Sequence, residues 1–194
     1  MENSVERSFI DFADSAAWET WLSNHHDRQQ DAWLRIAKKG SGVSSIVISE
    51  ALDIALCYGW IDSHRKSFDQ SYYLQRYSPR RKKSPWSLVN VQKAEELIGT
   101  GRMKAPGYAE IRLAQADGRW DAAYESQRTA ATPPDLAAEL ERHEQAKQAF
   151  FALDKTARYA VLLPLLKATT PKNRADQLHK AIEKLGAAAF EHQR

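Results

Sequence analysis

The periodicity of apolar residues changes once in this chain, near Ser84, and that change limits the folds open to it. Before it, residues 60–68 and 71–77 have the length and spacing of two strands joined across Asp69-Gln70, an antiparallel hairpin. Residues 32–38, with Trp33, Leu34 and Ile36, read as a third strand leading into the turn Lys39-Gly40-Ser41-Gly42. Two helices are interleaved with these strands. One covers 15–24 and turns Trp18, Trp21 and Leu22 inward; the other is capped by Ser49, buries Leu52, Ala55, Leu56 and Tyr58, and ends at Gly59. Beyond Ser84 the pattern is helical. Ser84 as N-cap and Pro85 at the first helical position open a helix to about Ile98, stopped by Gly99-Thr100-Gly101, and another runs from Ala105 to Gly118. After a loop over 120–134, helices follow at 135–142, 144–153, 155–167 with a kink near Pro164, and 171–185 with an apolar stripe of Ala175, Leu178, Ile182 and Leu185. The expected class is α+β: a three-stranded antiparallel sheet in the N-terminal half packed with a mainly helical C-terminal half. The expected division is a mixed region, 1–130, and a helical region, 131–194, packed as one compact unit.

With 194 residues, 43% of them hydrophobic, the chain can bury a core. It has no run of about 18 apolar residues; the longest, Tyr159 to Leu166, contains Pro164, so no membrane-spanning helix and no membrane insertion are expected. Met1 to Ile10 carries acids and no apolar stretch with a cleavage site, so it does not read as a secretory signal, and the expected location is cytoplasmic. A single cysteine, Cys57, excludes an internal disulfide and any multi-cysteine metal site, and its apolar helix makes it a core residue. There is no Gly-Lys-Ser/Thr phosphate loop, no dinucleotide fingerprint and no His-Glu-x-x-His. The adjacent His25 and His26 would point about 100° apart on a helix. No cofactor and no metal are expected.

The net charge is only +3, but the bases cluster. Arg65, Lys66, Arg76, Arg80, Arg81, Lys82 and Lys83 stand against Asp62 and Asp69, forming either an anion site or a solvated strand and turn. A strictly alternating strand would place Trp60, Asp62 and His64 on one face, making Asp62 and His64 a candidate acid–base pair, weak beside the alternative of a wet sheet face. Arg80 follows Pro79 and precedes Ser84 by four residues. It is expected to face inward and share an anion with the N-terminus of a helix opened at Ser84, leaving Arg81, Lys82 and Lys83 solvated. Asn90, four residues after Trp86, adds an amide on the same helix face. The candidate ligand site is therefore Trp60, Asp62, Arg80, Ser84, Trp86 and Asn90.

Glu50-Ala51-Leu52-Asp53-Ile54-Ala55-Leu56-Cys57-Tyr58-Gly59-Trp60-Ile61-Asp62-Ser63, Tyr77-Ser78-Pro79-Arg80, Ser84-x-Trp86-Ser87-x-x-Asn90, Gly101-Arg102-Met103-x-x-x-Gly107 and Ala116-Asp117-Gly118-Arg119-Trp120 occur in this order. Together with the helix around Lys172-Asn173-Arg174 they resemble the YdeI/OmpD-associated family of bacterial proteins over about 9–185. Tyr58 stands where that family often has phenylalanine, and Asn173 where it often has threonine. The resemblance implies association with an outer-membrane porin and protection against bacteriocins or cationic antimicrobial peptides, with no settled catalytic residues. The reading that follows is a cytosolic binding protein in envelope stress, taking an anionic small molecule or peptide. Two alternatives stand beside it. One is a nucleic-acid module, with Arg76 to Lys83 on phosphates and Tyr72, Tyr73 and Tyr77 stacking bases, which the modest net charge disfavours. The other is an enzyme using Asp62 and His64, for which no nucleophile or cofactor is identifiable.

Overall fold

A computed structural model describes residues 9–191 and shows an α+β fold. The segment 1–8, part of the N-terminal stretch read above as lacking a secretory signal, lies outside the described residues. The chain forms two compact units: residues up to Ser84 with Asn90–Trp120, and Pro85–Val89 with Asp121 onward. No helix among the described residues is long and apolar enough to cross a membrane.

The first unit is built on a three-stranded antiparallel sheet, β1 (Ala32–Ala37), β2 (Trp60–Ser67) and β3 (Tyr72–Pro79), with β3 in the middle. Ala32, Leu34 and Ile36 of β1 pair with Tyr77, Gln75 and Tyr73 of β3, and paired residues share a face, so these six line the inner side. On β2, Trp60 and Asp62 continue that face opposite Pro79 and Tyr77. The register then slips between Asp62 and Arg65, and Arg65 meets Gln75. This β-bulge inserts one residue, so strict alternation fails and Arg65 takes the inner-face position predicted for His64.

Helix α1 (Ser15–His25) is capped by Asp14, whose carboxylate accepts from the Ala17 N–H at 2.9 Å. Its fully buried Trp18 donates from Nε1 to the Ala51 carbonyl at 3.1 Å, tying α1 to α2 (Ile48–Cys57). Ser49 is not the cap of α2. Val47 holds that position with no side-chain bond, and the buried face is Ala51, Ile54, Ala55, Leu56 and Cys57, with Leu52 only partly covered. Gly59, at φ +73°, reverses the chain from α2 into β2. Helix α3 (Leu88–Gly99) is bound to α2 by Lys93 Nζ and Asp53 at 2.6 Å. Helix α4 (Ala105–Ala116) approaches α2 closely at Gly107, where a Cβ would lie 2.5 Å from the Cys57 carbonyl oxygen and 2.7 Å from that of Leu56.

The second unit packs α5 (Pro134–Arg142), α6 (Glu144–Ala152), α7 (Lys155–Leu166) and α8 (Pro171–Glu191) around Leu136, Leu140, Phe150, Leu162, Leu165 and Leu185. Asp154 caps α7 by accepting from the Ala157 N–H at 2.7 Å, and Thr170 Oγ1 accepts from the Asn173 N–H at 3.2 Å at the start of α8. Arg174 donates to both carboxylate oxygens of Asp135 at 2.7 Å and to the Leu165 carbonyl at 2.6 Å. One fork thus joins α5, α7 and α8.

Candidate functional site

Where β3 ends at Pro79, opposite Trp60, the next N–H, that of Arg80, donates to the Gly59 carbonyl at 3.0 Å. This bond holds Arg80 beside the α2–β2 turn, with its side chain only 7% exposed. A Cβ on Gly59 would stand 3.0 Å from Glu110 Cγ and 3.1 Å from the Pro106 carbonyl oxygen, so α4 brings Glu110 against the same turn. Asp62 lies two residues further along the inner face of β2, opposite Tyr77. Just past α4, Arg119, also 7% exposed, donates from Nε to both oxygens of Asp117 at 2.8 Å and from Nη1 to the Ser84 carbonyl at 2.8 Å. Two buried guanidinium groups and two half-buried carboxyls, Asp62 and Glu110, therefore gather at one end of the sheet of the first unit.

Burial raises the pKa of Asp62, opposed by a hydrogen bond from its own backbone, then by Arg65 and then Arg80. Burial also raises that of Glu110, opposed by Arg119 and then Arg80. Both carboxyls thus feel Arg80 while holding their protons more readily than in water. Tyr77 is fully buried; desolvation, and then the neighbouring Asp62, push its phenol well above the ordinary range. Its hydroxyl finds no hydrogen-bond partner among the described residues. A buried polar atom in that condition marks a place where a further donor or acceptor gains free energy by binding. A fork-shaped cation whose charge reaches two carboxyls, with a phenol near one of them, can receive a group that is itself part anion and part donor. Desolvation raises the Cys57 thiol to about 11, so it is a poor nucleophile, as its core position requires.

The six residues expected to line a ligand site have different fates. Trp60 is core: its ring stands edge-on to Trp18 and Trp21, and its Nε1 donates to the His26 carbonyl at 3.1 Å. Asp62 and Arg80 lie in the cluster just described. Ser84 is not a helix cap, since α3 begins at Leu88 and the Ser84 carbonyl is taken by Arg119. The reason lies far along the chain. Tyr124 forms a bridge with Ser87, donates to the Trp86 carbonyl at 2.9 Å and accepts from the Leu88 N–H at 2.9 Å, holding 85–87 extended and occupying a first-turn donor of α3. Trp86 is buried but groups with the second unit, and Asn90 is a half-buried residue in the first turn of α3. His64 is exposed at the bulge and does not share the inner face with Asp62, which removes the premise of an acid–base pair.

The basic belt is dispersed as well. Arg76 pairs with Asp31 at 2.7 Å, Arg65 donates to Gln75 at 3.0 Å and covers the Tyr73 ring, Lys66 lies over Trp33, and Arg80 is buried. Arg65 and Lys66 are exposed but lie over rings, and Arg81, Lys82 and Lys83 form the other exposed run. The tyrosines expected to stack bases are occupied too, Tyr77 by burial and Tyr72 by the Arg35 guanidinium 4.6 Å above it. Sequence reasoning does not find Glu110 or Arg119. Asp117-Gly118-Arg119 is a sequence signal for the second of these, an acid and a base on either side of a glycine turn, whereas Glu110 carries none.

A family model described as Domain of unknown function (DUF8412) matches residues 10–110, and one described as Bacteriocin-protection, YdeI or OmpD-Associated matches residues 129–187. No curated protein and no solved structure matches. The second match holds the Lys172-Asn173-Arg174 segment, where Arg174 makes the bidentate bond to Asp135, while most motifs around the charged cluster fall within the first.

Proposed function

The chain belongs to the DUF8412 family and carries a bacteriocin-protection, YdeI or OmpD-associated domain, and from this we propose that it is a cytoplasmic binding protein in protection against bacteriocins or cationic antimicrobial peptides. Its ligand site is Arg80 with Asp62 and Glu110, and the ligand is a small zwitterion such as a short peptide. The observation that carries this reading is one buried guanidinium felt by two half-buried carboxyls. The guanidinium suits a carboxylate bidentately. Two carboxyls beside it repel a dianion such as phosphate but accept an ammonium group. The Tyr77 hydroxyl adds a donor beside Asp62.

Calorimetric titration with glycylglycine, acetate and inorganic phosphate tests it. Glycylglycine should bind most tightly. Arg80→Lys, which keeps the charge and loses the fork, should cost about 1.5–3 kcal/mol, and exposed Lys82→Ala close to nothing. Asp62→Asn, at a half-exposed position, separates loss of binding from loss of fold. Equal losses from Arg80→Lys and Lys82→Ala, or tighter binding of phosphate than of the dipeptide, would overturn the reading.

A further inference from the structure

Far along the sequence, within the second unit, a cavity of about 390 Å³ is lined by Gln127, Arg128, Lys155, Arg158, Tyr159 and Leu162, together with Ala130. Three of these are cations, and none forms an ion pair with a carboxylate among the described residues. Their placement is electrostatically adverse. Lys155 is the first residue of the twelve-residue α7 and Arg158 lies in its first turn, where the helix dipole presents its positive end and favours acids. Asp154, the acid at that end, is engaged by the Ala157 N–H, and the carboxylate of Glu125 accepts from the Ala131 N–H at 3.2 Å.

Arg158 is held firmly. Its Nη2 donates to the carbonyls of Phe151 and Leu153, both at 3.1 Å, and the guanidinium lies 5.4 Å from the centroid of the Phe150 ring. Its Nε is buried and finds no partner among the described residues. Tyr159 is fixed as well, by donation from its hydroxyl to the Glu125 carbonyl at 2.8 Å. Three like charges around one cavity, two of them at a helix N-terminus, repel one another, and a rigid arginine among them loses little entropy on binding. A group of matching size and opposite charge relieves this repulsion.

We propose that this cavity is a binding site for a diphosphate group. A single carboxylate leaves most of the positive charge uncompensated, whereas two linked phosphates match three cations and offer enough oxygens for bidentate arginine contacts. The site is separate from Arg80, where flanking carboxyls disfavour such a ligand.

The test is calorimetric titration of the full chain with inorganic pyrophosphate, beside co-sedimentation with phosphatidylcholine vesicles with and without phosphatidylglycerol. Pyrophosphate should bind with an affinity that falls as salt rises. Arg158→Gln and Lys155→Gln should each weaken it about tenfold or more, while Lys184→Gln, at an exposed position on α8, should leave it unchanged. Lys155 is exposed, so its variant keeps the fold even if that of Arg158 does not. Vesicle binding that needs phosphatidylglycerol and Arg158, a headgroup with one phosphate and one charge, without pyrophosphate binding, would overturn the diphosphate assignment. Absence of both, or pyrophosphate binding abolished by Arg80→Gln and untouched by Arg158→Gln, would overturn the proposal; the latter result would also count against the zwitterion reading of the Arg80 site.

Discussion

Tyr77 stands directly opposite Asp62 in the β2–β3 register, its ring fully buried and its hydroxyl without a partner among the described residues. An unsatisfied buried hydroxyl costs about 1–3 kcal/mol of desolvation. If its role were only to fill space, Tyr77→Phe would be neutral or stabilising by about 1 kcal/mol. If it serves a ligand, the same change should weaken glycylglycine binding. We expect both effects together: a midpoint of chemical denaturation unchanged or higher, and a lower affinity by calorimetry. Stability lost by more than about 1 kcal/mol would mean that the hydroxyl has a structural partner.

The two carboxyls of the cluster give a pH dependence of defined sign. Their folded pKa values lie above the ordinary 3.8 and 4.5, so between those values and the folded ones the folded state binds more protons than the unfolded. Stability from this source is fully present below the ordinary values and is lost as pH rises through the raised ones. Asp62→Asn and Glu110→Gln should each flatten the fall of stability with rising pH in that interval, read from urea midpoints in a pH series. Asp135 has the opposite sign. Its bonds from Arg174 lower its pKa, so its contribution is present above about 3.8 and lost as acid protonates it. A wild-type curve that rises through the first interval would show that burial of Asp62 and Glu110 is outweighed by their arginines.

How much of this was legible in the sequence depended on the range of the interactions. The three strands and the burial of Arg80 after Pro79 follow from neighbours a few residues apart, and the structure has them. The structure departs from local pattern where distant residues decide. Strict alternation placed His64 beside Asp62, but Gln75, on another strand, holds Arg65 and bonds the His64 carbonyl at 3.3 Å across the bulge. Ser84 followed by proline has the pattern of a helix start, yet Tyr124 holds 85–87 extended until Leu88. Glu110 enters the cluster only because Gly107 lets α4 approach α2, a tertiary fact with no local pattern.

Two glycines separate close packing from helix propensity. At Gly107 a Cβ would strike the Met103 sulfur, the end of a flexible side chain, and the backbone oxygens of Cys57 and Leu56, which cannot move without shifting α2. Gly107→Ala should cost about 1–3 kcal/mol. Gly186 lies within α8, with nothing within 4 Å of the position its Cβ would take and no positive φ, so Gly186→Ala should gain about 0.5–1 kcal/mol. Thermal and urea denaturation of both variants checks the pair. Equal and opposite signs are not required, but a stable Gly107→Ala protein would mean that α2 and α4 do not pack as closely as the carbonyl distances imply.

The dispersed belt makes a prediction about nucleic acid. Phosphate binding by a basic segment depends on cations free to replace counterions, and each one used adds to the salt dependence. Of the bases between Asp62 and Lys83, Arg76 is paired with Asp31, Arg65 and Lys66 lie over aromatic rings, and Arg80 is buried. Arg65 and Lys66 remain exposed, and Arg81, Lys82 and Lys83 are the exposed run that lies over no ring among the described residues, with no unoccupied aromatic among Tyr72, Tyr73 and Tyr77 to stack a base. Fluorescence anisotropy with single- and double-stranded oligonucleotides at physiological salt should therefore show no micromolar binding, and only weak binding at low salt. Replacing Arg81, Lys82 and Lys83 together by alanine should remove that remnant of affinity without changing glycylglycine binding, because none of the three belongs to the Arg80 cluster. Micromolar binding at physiological salt, abolished by the triple variant, would make the exposed run a nucleic-acid contact after all.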